Sequence, residues 1–333
     1  MQKQSEDKQT AETGDWSSRS IGSNWQHQAF YLMIRLGGRR AAYLLLYVVV
    51  AYYVLFSRLA RQRASHYLRR RFPETTGWLQ LWHCYQLILS FGKVLVDRAV
   101  VGIMGPEALN VTLDAREELL KLRDEQRGMI MMSAHVGCWQ VAMSALDFLQ
   151  RPVNMLMRRE DGDIDRHYYE HAGIDCPYRV IDPTGYLGGT LEMLGALKQG
   201  QIVCVMGDRL LGSDRSTVEV DLLGEKVSLP FSAYKIASAT GAPVVVFLTR
   251  KDGPASYRLQ LAQVIRVPEL QGRNAETFRP YAAEFSAALD KFCQEYPYQF
   301  FNFFDMWLKQ QPDNKPTIRS HDGYQGKTEA GSD

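Results

Sequence analysis

The chain has 333 residues, 46% of them hydrophobic and 23% charged, with a formal net charge of +2. That balance excludes a globally disordered chain and leaves enough length to bury a large core in one big domain or two modest ones. Five scattered cysteines (Cys84, Cys138, Cys176, Cys204, Cys293) without any C-x-x-C spacing argue against a zinc site or dithiol pair and fit a reducing compartment.

Residues 1–20 are polar and rich in Ser, Gln and Glu, so a disordered tail is expected. No apolar run follows the charged start, as a secretory signal would require. The near-neutral total hides an asymmetry. From Trp16 to Pro73 there is no Asp or Glu, yet the stretch holds ten arginines, which leaves −8 for the rest of the chain. Inside it lies AAYLLLYVVVAYYVLF, residues 41–56. Sixteen residues is short of the roughly 20 that cross a bilayer core, but Tyr43, Tyr47, Tyr52 and Tyr53 suit a membrane interface and arginines flank both ends. Residues 21–73 are therefore read as a membrane-anchoring apolar helix followed by a basic helix on the lipid surface, with a buried core helix as the alternative.

From residue 74 to 310 the pattern is that of an α/β domain, before a flexible tail at 311–333. Apolar periodicity predicts helices over 78–101 and 109–124. A strand–helix alternation then begins: strand 129–133, helix 136–149, strand 153–157, helix 187–198 closed by Gly200, and strand 201–206. Pro230 stands where a helix over 231–240 can begin, and Gly241 ends it. Strands 244–249 and 257–267 and a long amphipathic helix over 275–295 complete the order. This is an α/β chain with a mostly parallel sheet flanked by helices.

His135 is the first chemical candidate. It follows a buried strand and opens a predicted helix, at the carboxyl edge where open α/β sheets bind ligands. A helix N-terminus there would disfavour the imidazolium and keep a neutral base. The alternative is a structural histidine capping the turn. Asp208–Arg209, ending strand 201–206, are expected at the same edge, in the site or as a structural ion pair; Arg158 and Arg159 follow strand 153–157 beside Glu160 and Asp161 and could equally be a solvated charged edge. Cys138 reads as packing, with a Cys/His nucleophile pair as the alternative, and the aromatic FFNFFDMW, residues 300–307, as core, with an acyl-chain wall as the alternative. No phosphate-binding glycine loop occurs, and the basic charge surrounds an apolar segment, so no nucleic-acid partner is expected.

The pattern around His135, A-H-x-G-x-W-Q, resembles the H-x-x-x-x-D/E motif, often A-H-x-G-N-W-E, of the lysophospholipid acyltransferase superfamily and its lipid A late (lauroyl/myristoyl) acyltransferases. GQIVCVMGDR (200–209), LLGEKVSLPFSAYKIASATGAPVVV (222–246) and YPYQFFNFFDMW (296–307) are similar to further segments of that family, in the same order. The resemblance implies a glycerol-3-phosphate acyltransferase-like fold at the cytoplasmic face of the inner membrane. It implies transfer of a fatty acyl group from an acyl thioester, acyl carrier protein or acyl-CoA, to a hydroxyl or amine of a lipid acceptor, without metal or other cofactor. His135 would be the base and Gln140 its orienting partner, with Asp208 in catalysis and Arg158, Arg209 and Trp139 in substrate binding. One position departs: the family's carboxylate is Gln140 here. An amide can orient an imidazole but supplies no charge. Either another carboxylate serves, Asp208 first, or turnover is slow, or the chain is a non-catalytic lipid- or acyl-carrier-binding member of the fold.

Overall fold

The computed structural model describes residues 24–139, 144–158, 178–209, 216–269 and 274–307. Its centre is a seven-stranded sheet in the order β1-β9-β8-β2-β5-β3-β4. The strands are β1 (Asn110–Leu113), β2 (Met129–Ser133), β3 (Val153–Leu156), β4 (Arg179–Ile181), β5 (Ile202–Met206), β8 (Val244–Lys251) and β9 (Ser256–Ile265). The middle strands β2 and β5, MIMMS and IVCVM, are buried over their first four residues. Uninterrupted apolar runs of this kind suit parallel strands covered on both faces. From β8 to β4 every pairing is parallel; β9 turns back antiparallel on β8 and β1 runs parallel to β9. The expected α/β class, with a mostly parallel sheet between helices, is the observed one.

Two local expectations need correction. Residues 109–124 are not one helix: NVTL forms β1 on the sheet edge, and the helix α4 (Arg116–Asp124) starts only after Ala115, whose φ is 60°. The β-branched pair Val111 and Thr112 meets Tyr257 and Arg258 of β9, so sheet pairing overrides the helical periodicity. The chain after β2 does not enter a helix at residue 136 either. Val136 forms an isolated bridge with Phe300, the first helical residue is Trp139, and Ser144–Leu149 is a 3-10 turn. Between β5 and the next helix lies a hairpin of β6 (Thr217–Leu222) and β7 (Glu225–Pro230) whose pattern is present in the sequence. Val218, Val220 and Leu222 alternate inward with Glu219 and Asp221 outward, and a two-residue turn, Leu223–Gly224, has both φ angles positive. Pro230 thus closes β7 before the helix α6 (Ser232–Thr240).

The N-terminal section packs on this body as α1 (Asn24–Phe56), α2 (Arg58–Arg71) and α3 (Gly77–Met104). The remaining helices are α5 (Thr190–Lys198) and α7 (Ala275–Glu295). α1 is broken at Gly38 and turns Ile34, Ala42, Leu46, Val50 and Val54 inward, in one core that continues to Phe300. Several arginines expected on a lipid surface have structural partners instead. Arg61 donates to the carbonyls of Val54 and Leu55, and Arg71 to those of Cys293 and Gln294. Each thereby covers a helix C-terminus, where orphan carbonyls and the helix dipole favour a cation.

A buried carboxylate fastens α1 and α3 to the sheet. Asp97 of α3, wholly buried, accepts from Tyr43 at 2.7 Å, Lys251 at 2.5 Å and Tyr257 at 2.5 Å, with Arg39 Nε at 3.6 Å. Removing one partner of such a cluster leaves charges buried and uncompensated. Asp97→Ala is therefore expected to destabilise the fold by roughly 3–5 kcal/mol, read as a lowered denaturant midpoint. A midpoint equal to that of the unsubstituted protein would show that the cluster carries no such load.

Candidate active site

β2 and β5 lie side by side in parallel, with Ser133 opposite Met206. The residues that follow them must therefore emerge together at the carboxyl edge of the sheet. Gly207 N–H donates to the Ser133 carbonyl at 2.7 Å, and one step further His135 meets Asp208. His135 Nδ1 is 2.9 Å from each carboxylate oxygen, and the His135 backbone N–H donates to Oδ2 at 3.2 Å. The Asp208 side chain is fully buried, whereas that of His135 is 24% exposed. A carboxylate only accepts, so Nδ1 carries the proton and Nε2 is the basic nitrogen.

The loop after β2 is held from its other side by the C-terminal segment. Phe301 N–H donates to the His135 carbonyl at 2.7 Å, and Gly137 N–H to the Gln299 carbonyl at 3.1 Å. Gly137 has φ +52°, and a Cβ there would run into the Thr249 carbonyl oxygen, so the loop lies flat on β8 only with glycine. Arg209 donates to the Phe301 carbonyl at 3.0 Å, lies over the Phe304 ring at 5.0 Å and keeps Nε 3.9 Å from Asp208. The aromatic run is core, as its composition implied: Phe300, Phe301, Met306 and Trp307 are buried. Its backbone contacts to the His135 loop could not be read from side chains, because any residue can make them.

Burial, and then the neighbouring Arg209 guanidinium, hold the His135 imidazole below its ordinary pKa, against the opposing pull of Asp208. This replaces the expected cause, since the helix begins four residues further on, at Trp139. Burial alone would raise the Asp208 carboxyl, but His135 and Arg209 outweigh it and hold it below the usual range. Burial pushes Arg209 down to about 10, with Asp208 opposing. At neutral pH the site therefore holds a neutral imidazole, a carboxylate and a guanidinium.

Of the residues picked from sequence, His135, Asp208 and Arg209 come together. Gln140 and Arg159 lie outside the described residues. Arg158 stands exposed just after β3, the strand next to β5, and bears electrostatically on Asp182. Trp139 is half-buried, 6.1 Å from the Tyr178 ring. It lines a narrow apolar cavity of ≈ 40 Å³ together with Met131, Ser133, Met155, Cys204 and Phe247. Cys138 is buried, consistent with packing.

A family model described as bacterial lipid A biosynthesis acyltransferase matches residues 14–309. Among solved structures, the chain is similar to the crystal structure of the 1-acyl-sn-glycerophosphate (LPA) acyltransferase PlsC from Thermotoga maritima. That match has 13% identity and a TM-score of 0.35, and covers 76% of this chain and 96% of the other. No curated protein matches.

The electrostatics of the site give a signed expectation. His135 should titrate below about 6.5 in the folded protein, followed by NMR of its ring carbons. Asp208→Asn, which removes the group pulling that value up, should lower it further. A titration above the ordinary imidazole value in the unsubstituted protein would contradict the assignment of burial and Arg209 as the dominant influences.

Proposed function

This chain belongs to the bacterial lipid A biosynthesis acyltransferase family, an acyltransferase acting on lipids, and from that premise we propose how its own residues perform the transfer. The donor is a fatty acyl thioester, on acyl carrier protein or CoA, and the acceptor a hydroxyl or amine of a lipid. The observation that carries this reading is the contact of His135 with Asp208.

His135 Nε2 takes the acceptor's proton as its oxygen or nitrogen attacks the thioester carbonyl carbon. Asp208 holds Nδ1–H and stabilises the imidazolium as it forms, the role of the carboxylate in a histidine–carboxylate pair. Collapse of the tetrahedral intermediate breaks the C–S bond, and the departing thiolate recovers the proton from Nε2. The carboxylate that the sequence lacks at 140 is thus supplied by Asp208, from the neighbouring strand. On this reading Arg158, exposed after β3, meets phosphate on the donor's carrier, Arg209 supports the site through its bond to the Phe301 carbonyl, and the apolar cavity beside Trp139 receives the start of the acyl chain.

The protein works at a membrane, on this reading the cytoplasmic face of the inner membrane. Phe30–Phe56 is long and apolar enough to cross one by length and composition. Its outward stripe, Leu32, Leu36, Leu44, Val48, Leu55 and Phe56, is exposed, as are Trp78 and Trp82 of α3. Arg35, Arg40, Arg58, Arg63 and Arg69 are exposed around it, suited to anionic headgroups. The apolar helix is tied to the body near its middle, through Arg39 and Tyr43 to Asp97, and beyond its C-terminal end through α2, by Tyr67 to Pro297 and Arg71 to α7. That favours a helix bedded in one leaflet over one that crosses.

Purified full-length protein with long-chain acyl donors and lipid acceptors tests the chemistry. His135→Ala should reduce turnover by about 10²–10⁴-fold, and Asp208→Asn by up to about 10⁴-fold; an undiminished rate for His135→Ala would remove the base assignment. The glutamine at 140 favours a second reading, a member that binds lipid or acyl carrier without turning over. Gln140→Glu separates the two. With Asp208 already supplying the charge, turnover should change by less than about tenfold, a difference of about 1.4 kcal/mol. No turnover in either form would establish the binder.

A further inference from the structure

Gln299 joins two parts of the molecule that the proposed chemistry needs in register. Its side-chain amide grips the backbone of Lys251, the last residue of β8. Oε1 accepts from Lys251 N–H at 2.7 Å and Nε2 donates to the Lys251 carbonyl at 3.1 Å. Its own carbonyl accepts from Gly137 N–H, two residues past His135. The next two residues continue the same seam, Phe300 bridging Val136 and Phe301 donating to the His135 carbonyl. Lys251 is in turn fixed by its ammonium on buried Asp97 at 2.5 Å and on the Pro254 carbonyl at 2.9 Å. A continuous path thus runs from the lipid-facing helices through Asp97, Lys251 and Gln299 to the loop that carries the imidazole.

We propose that Gln299 is a positioning residue for acyl transfer. By clamping the end of β8 it sets the height of the 135–137 loop above the sheet edge, so that His135 meets both oxygens of Asp208. This rests on the reading of His135 as base. Asp208 arrives two residues after β5, on a different strand from His135, so the pair is made only if the loop is held at the matching height. The amide is chemically specific for this task. Accepting from and donating to the backbone of one residue at once needs a neutral carboxamide. A glutamate carboxylate accepts but cannot donate, and would face the Lys251 carbonyl with like polarity; a methionine of similar length does neither.

The test compares Gln299→Met, Gln299→Glu and Tyr67→Phe in the full-length enzyme. Tyr67 donates to the Pro297 carbonyl at 2.8 Å, two residues before Gln299, and so controls for simple loosening of the same segment. Both Gln299 variants should lose on the order of 10–100-fold in kcat with donor KM within about twofold, because geometry and not binding is disturbed. Their acidic limb should move upward, as the ring escapes the burial and the Arg209 charge that together outweigh the upward pull of Asp208, the two charged groups that face it. Tyr67→Phe should lower thermal stability without moving kcat or the limb. NMR titration of His135 reads the same displacement if one Gln299 variant is poorly folded. The inference is overturned if Gln299→Met keeps the full kcat and limb, or if Tyr67→Phe loses kcat in proportion to its lost stability. His135→Ala measured alongside separates the layers. An active His135→Ala enzyme overturns the base assignment and this inference together, and an inactive one with an unaffected Gln299→Met enzyme overturns this inference alone.

Discussion

Everything chemical in this molecule depends on two neighbouring parallel strands ending at the same height. β2 and β5 pair from Met129–Ile202 to Ser133–Met206, and the next residues of each carry the imidazole and the carboxylate. A shift of one residue in that register would turn side chains to the opposite face. The pairing is protected by the burial of both strands, whose apolar side chains fill the core on either face of the sheet. Fixing the strands fixes the backbone hydrogen bonds at their ends, and these leave His135 and Asp208 facing one another at hydrogen-bond distance.

Charge is used in this chain in three different ways. At the site, a buried carboxylate and a buried guanidinium bracket a partly exposed imidazole, which burial and the guanidinium hold neutral against the pull of the carboxylate. Beneath the apolar helix, Asp97 gathers Lys251, Arg39 and two tyrosines, so the helices that present apolar surface are locked to the sheet by a polar cluster. Along α2, arginines divide between covering helix carbonyls and facing outward. A surface helix held only by apolar contacts could slide within a lipid phase, which competes for the same groups. Buried hydrogen-bonded charges do not have that alternative, since leaving them unpaired is costly in hydrocarbon as well as in protein.

The C-terminal segment shows why composition alone undersells an element. Read as side chains, residues 300–307 are core, and they are core. Read as backbone, residues 299–301 pair with the loop after β2 through the Val136–Phe300 bridge and two backbone hydrogen bonds. Arg209 is held there too, with its guanidinium between the Phe301 carbonyl and the Phe304 ring.

By itself the sequence determined much of this. Apolar runs marked β2 and β5, helical periodicity marked α3, α5, α6 and α7, and the acid-free arginine stretch marked the N-terminal section as a separate electrostatic environment. The histidine after β2 and the Asp208–Arg209 pair after β5 stood out as edge residues because the position of a residue after a buried strand is a local property. Only the tertiary structure decided which carboxylate His135 meets, because Asp208 is 73 residues away and adjacency depends on strand order and not on spacing. It also decided that residues 110–113 join the sheet, that Arg61 and Arg71 cover helix ends, and that Gln299 grips β8. Local pattern records which side chains are buried; non-local pairing, set by the packing of the whole chain, chooses their partners.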